Sequence, residues 1–234
     1  MTTIADLARQ ALALRSQRFD ALAAIKDDPD ATELANAYYR ETQTKAIETR
    51  YAEQMAAIRE QATQMAADAK TTAAPHLAFD NTDMSALIRS EQAWTHVVRP
   101  QLEKGHSLAQ ALAGADTDAV HGAQRFAGAF IAAKTSPGAG LHVGERRPNT
   151  EQVYAAIATR MAELKPQHAE EILAGATADA HLQAFRSVLV LADRGDDLGA
   201  AIAIQYEFGS PGRDVDTTDV DASIEDAQGS HDAA

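Results

Sequence analysis

Cysteine is absent from the 234 residues. That excludes disulfides, thiol catalysis and cysteine-ligated zinc. Aromatic residues make up only 5% of the chain, and runs of β-branched residues, the usual material of sheets, are scarce. All 13 glycines lie at or after Gly105. Glycine weakens helix interiors. The stretch up to Lys104, broken only by Pro29, Pro75 and Pro100, therefore reads as long stiff helices, and the remainder as shorter helices with tight turns. Basic charge is in the minority, with 21 Lys and Arg against 34 Asp and Glu, a net charge of −13. Such a balance argues against nucleic acid or an anionic membrane as a direct partner. The start, Met1 followed by TTIADLAR, has neither the basic residues nor the apolar run of a secretory signal. The least polar stretch, Ala119 to Ala133, contains His121, Gln124 and Arg125 and is too short to span a bilayer. A cytoplasmic location is expected, free or within a particle assembled there.

What the chain does have is alanine, the best helix former, within an apolar content of 45%. The expected fold is all-α. It comprises an N-terminal helical hairpin forming a coiled-coil-like arm (1–74), a bundle of short helices (76–209) and a disordered acidic tail (210–234). The first helix is expected from Thr3 to Lys26, with Ile4, Leu7, Ala11, Leu14, Ala21 and Ile25 at 3–4 spacing. Asp30 and Glu33 suit the start of a second helix, running from Ala31 to about Thr72. Its seam of Ile47, Tyr51, Met55, Ile58, Ala62, Met65 and Ala69 has a coiled-coil rhythm. The shorter first helix cannot bury all of that seam. Its distal half needs either the chain's own later helices or another protein, a second copy included. Tyr51, Met55, Ile58 and Met65 are the candidate partner-facing residues.

The bundle is expected to hold a helix capped by Asn81 or Thr82 and stopped by Pro100, then Gln101 to Ala113, then one capped by Thr117. Another starts at Asn149 or Thr150, a short one runs from Pro166 to Gly175, and one is capped by Thr177. Residues 198–208 alternate like a strand, yet also fit a helix. Helix is the expected form, because an isolated strand has nothing to pair with. The tail from 214 to 234 holds seven acidic residues and no lysine or arginine, a composition that cannot bury enough apolar surface to fold.

Chemistry has little to stand on. The stretch SPGAGLHVGERRPNT (136–150) has three glycines and a paired cation, but Gly138 and Gly144 are spaced wrongly for a nucleotide loop and Glu145 occupies the lysine position. It reads as a helix connection. His142, Arg146 and Arg147 are the candidate anion- or ligand-binding residues there, aided by the helix start that follows. Helical metal sites use carboxylates and histidines three apart. Glu103 and His106, Asp118 and His121, and His168 and Glu171 have that spacing, but no metal or other cofactor is expected. Trp94 and the small-residue row Ala119, Ala123, Ala127 read as packing. The repeat-like turn at 191–203 has no second copy, which excludes a solenoid. No nucleophile motif is present.

These features point to a non-enzymatic assembly, adaptor or structural protein acting through helix–helix contacts, with itself or with another protein. A scaffold or component of a larger, phage-like particle would suit them. The alternative is a helical enzyme or small-molecule binder with its pocket in the 76–209 bundle near the 136–150 loop.

Overall fold

The computed structural model describes residues 2–134 and 150–208. Among them the fold is all-α, with no strand. His142, Arg146, Arg147 and the tail lie outside the described residues.

Helix α1 (Ile4–Ala23) starts at a capping box. The Thr3 hydroxyl accepts from Asp6 N at 3.1 Å, and the Asp6 carboxylate accepts from Thr3 N at 2.9 Å. Helix α2 (Glu33–Leu77) has 45 residues, about 67 Å at the usual rise. Its cap is Thr32, not Asp30. The connection is pinned by Asn36, whose amide donates to Asp28 O (2.8 Å) and accepts from Asp28 N (3.0 Å).

The expected end of α2 before Pro75 is corrected: the helix carries Pro75 and continues to Leu77. A proline so close to a C-terminus removes one hydrogen bond, and the last turn is held from outside. Ala73 and Leu77 are buried in the core. Lys165 Nζ donates to His76 O (2.7 Å) and Gln124 Nε2 to Leu77 O (3.1 Å).

Helix α3 (Met84–Ala93) is capped by Asp83. It does not stop at Pro100. A π-helical turn, Trp94–Val98, leads directly into α4 (Arg99–Glu103), with Arg99 N donating to Trp94 O. That shift of register places Pro100 in a first turn, where its missing N–H costs nothing. Gly105, at φ 92°, ends α4. Helix α5 (Leu108–Leu112) follows, then α6 (Thr117–Lys134), which Asp116 caps through Ala119 N.

Helix α7 (Thr150–Leu164) leads through a 3₁₀ turn (Pro166–His168) into α8 (Ala169–Asp193). The two short helices expected around Gly175 and Thr177 are therefore one. The Thr177 hydroxyl bonds back to Leu173 O (3.0 Å), as in a helix interior. Residues Asp197–Phe208 form α9, a helix.

Two apolar cores result. One gathers α3 to α7 around Trp94, Val98, Leu112, Val120 and Met161. The other gathers Ile4 and Leu7 of α1, Met55, Ile58 and Ala62 of α2, Phe185 and Val188 of α8, and Ile204 of α9. The long helices α2 and α8 contribute to both. The boundary at 74–76 thus falls within α2, and the arm packs on α8 and α9.

Candidate functional site

Helices α1 and α2 run side by side, and a groove is left open between them on the face away from the core they share with α8. One part, a cleft of about 320 Å³, is lined by Gln10, Ala13, Leu14, Gln17, Gln54, Ala57, Ile58 and Gln61. It continues toward the hairpin tip, past Arg18, Ala21, Ile47, Arg50 and Tyr51. Gln10 and Gln17 lie seven residues apart on α1, as do Gln54 and Gln61 on α2. Seven residues are nearly two helical turns, so each pair recurs on one face of its helix. All four glutamines are exposed, as are Ala13 and Ala57. Among the described residues no acidic one lines either part.

The groove's geometry is fixed near the tip by Arg18 and Glu48. Arg18 Nε lies 2.9 and 3.0 Å from the two carboxylate oxygens, and Nη2 lies 2.6 Å from one of them. These bonds hold the Glu48 carboxyl below its ordinary range. The same guanidinium sits 5.0 Å from the Tyr51 ring centre. Arg15 reaches Asp197 of α9 at 2.6 Å, tying the arm to the C-terminal helix.

The four candidate partner-facing residues separate. Met55 and Ile58 are buried within the chain's own core, at 4% and 5% exposure. The expectation that both face a partner is corrected, since α1 and α8 cover them. Met65 packs on the same core, partly buried. Tyr51 is half-buried and lines the groove. The glutamines that define its rim escape an apolar-seam search, because they are polar residues at coiled-coil spacing.

Other candidates fall into place. Trp94 is buried, 6.0 and 5.7 Å from the ring centres of Phe126 and Phe130. Ala119, Ala123 and Ala127 are buried as a packing row. Glu103 is paired with Arg99 (2.8 Å) and Asp118 with Arg89 (3.1 Å). His121 lies against Gln124 and the Phe79 ring, and burial pushes its imidazole pKa down. His168 and Glu171 do meet, at 3.1 Å, and His76 joins them from the end of α2, at 2.8 Å. His76 escapes a spacing search because it lies on another helix, past the expected end of α2. On α9, Leu198, Ile202 and Tyr206 form an exposed apolar row.

No protein-family model matches the chain, and no curated protein or solved structure shows significant similarity to it. Among the described residues no helix is long and apolar enough to cross a membrane.

Proposed function

We propose that the protein is a non-enzymatic assembly protein that works through helix–helix contacts, and that the contact joins the α1/α2 grooves of two copies. The observation that carries this reading is the groove's lining. In a chain of net charge −13, none of its lining residues is acidic, and the carboxylate at its tip, that of Glu48, is paired with Arg18. Two copies of so acidic a chain repel each other, and a strip whose charged lining residues are Arg18, paired with Glu48, and Arg50 is where that repulsion is least. Glutamine suits a self-complementary surface, because its amide both donates and accepts and can pair with its own copy across a two-fold axis. Two helices from each copy would then complete a four-helix bundle.

The test is light scattering coupled to gel filtration on the whole chain and on the Ala57→Glu variant. Ala57 is exposed in the groove, so glutamate leaves the monomer's fold intact while placing two carboxylates in the interface. The reading predicts a dimer for the native chain and a monomer of unchanged helix content for the variant. A native chain that is monomeric at every concentration would overturn it. So would a dimer that survives Ala57→Glu and is lost with Tyr206→Lys, which would move the interface to the outer row of α9.

A further inference from the structure

At the opposite end of α2 from the hairpin tip, three metal-ligating side chains converge from two separate parts of the chain. His76 comes from the last turn of α2, His168 from the 3₁₀ turn, and Glu171 from the first turn of α8. Glu171 Oε2 lies 2.8 Å from His76 Nε2 and 3.1 Å from His168 Nδ1. The donor atoms all lie within 4.8 Å of one another. The two imidazoles stack, ring centres 3.8 Å apart and planes 18° apart, so taking one ion through a nitrogen of each requires the rings to turn out of this stack about the Glu171 oxygen they share. We propose that His76, His168 and Glu171 bind one divalent transition-metal ion of the zinc class, and that the ion fastens the end of α2 to the start of α8.

The donor set fits the chemistry. Two imidazoles and one carboxylate suit a borderline ion such as zinc, and three protein ligands leave a fourth position for water. Tetrahedral zinc, at about 2.0–2.2 Å from each ligand, needs donor atoms roughly 3.3 Å apart. The N–O separations of 2.8 and 3.1 Å are within a few tenths of an ångström of that value, and rotation of the two rings out of their stack brings the lone pairs to the ion. Each coordinating nitrogen presents its lone pair to the ion, so in the bound state the ring proton sits on the other nitrogen. The Glu171 side chain is 44% exposed and that of His76 22%, so the site is open on one side. The Lys165 ammonium, which donates to His76 O, is the nearby cation the ion must tolerate.

The placement is built into the fold. One turn on along α8 and one turn back along α2, Gly175 abuts Ala73 and Ala69. That close crossing brings His76 within reach of Glu171. Lys165 and the burial of Leu77 hold the turn that carries His76.

The experiment is titration of the full-length chain, free of any affinity tag, with Zn²⁺ by calorimetry and with Co²⁺ by visible absorption. The expected result is one ion per chain, with the absorption of a four-coordinate cobalt site and a higher melting temperature on zinc addition. His76→Ala should weaken binding by more than the ~10–100-fold that loss of an outer-shell partner costs. Glu171→Gln, a partly exposed change that keeps the side chain's size, should weaken it likewise and guards against a folding defect. His96→Ala, an exposed histidine elsewhere, should bind like the native chain. No zinc heat and no cobalt absorption would overturn the proposal. So would binding that is equal in the native chain, His76→Ala and Glu171→Gln.

Discussion

Gly175 of α8 lies so close to Ala73 of α2 that a Cβ at position 175 would stand 2.3 Å from the Ala73 Cβ and 3.1 Å from the Ala69 carbonyl. The crossing of the two long helices is set by a missing methyl group. Gly175→Ala should therefore destabilise the chain by about 1–3 kcal/mol, because both contacts are on helix backbones or their first carbons and cannot rotate away. At roughly 2–4 °C per kcal/mol for a chain of this size, thermal denaturation reads it easily. Gly128 in α6 has nothing within 4 Å of its missing side chain. There alanine should stabilise by about 0.5–1 kcal/mol through helix propensity alone. Opposite signs at two helical glycines are the signature of the crossing.

A second close approach lies under the π-helical turn. A Cβ at Gly122 would meet Ser90 O at 2.3 Å and Trp94 Cβ at 2.9 Å. Gly122→Ala should force α6 away from α3 and loosen the packing of Trp94 on Phe126 and Phe130. As the only tryptophan in the chain, Trp94 makes this legible as a red shift of intrinsic fluorescence under native conditions, with a loss of stability of about 1–3 kcal/mol.

Residues 76–234 on their own should not fold as the native chain does. Phe185, Val188 and Ile204 would lose Ile4, Leu7, Met55, Ile58 and Ala62, with which they form one core. The expected outcome is a broad, weakly cooperative thermal transition and binding of an apolar dye, as for a chain that keeps helix but loses fixed packing. A sharp transition matching the full-length protein would contradict the two-core account.

Acid should weaken the fold in two separate windows. Burial holds the His121 and His181 imidazoles below the ordinary value of 6.5. The unfolded chain then takes up protons before the folded one does. Stability from these two groups is complete above pH 6.5 and declines as the pH falls below it, through the folded values. The Asp6, Glu48 and Asp80 carboxyls are held below their ordinary values by Thr3, Arg18 and Thr82 respectively. Their contribution is lost only at lower pH, under about 4. Melting temperatures from pH 7 to 5 should thus fall more steeply for the native chain than for a His121→Gln, His181→Gln double variant.

The all-α class and most helix starts were legible in the sequence, because alanine content, apolar spacing and capping residues act locally. The misplaced ends share one cause. Pro75, Pro100 and Gly175 are local breakers that tertiary contacts override: side chains from distant helices bond the end of α2, a π turn re-registers Pro100, and α2 needs the space at Gly175. The groove and the histidine pair were illegible for a related reason. Each is assembled from separate parts of the chain: the spacing marks His168 and Glu171 but not His76 on α2, and the glutamines recur every seven residues but carry no apolar signal. Tyr51 was found because it belongs to the apolar seam, while the glutamines beside it did not.

The claim that a second copy covers the α1/α2 groove is tested most directly by chemical access to it. With no native cysteine, an Ala57→Cys variant carries a single thiol in the groove, and Ala52→Cys carries one at an exposed position outside it. The account predicts that labelling at position 57 slows as protein concentration rises, while labelling at position 52 keeps its rate. Equal, concentration-independent labelling at both positions would contradict it.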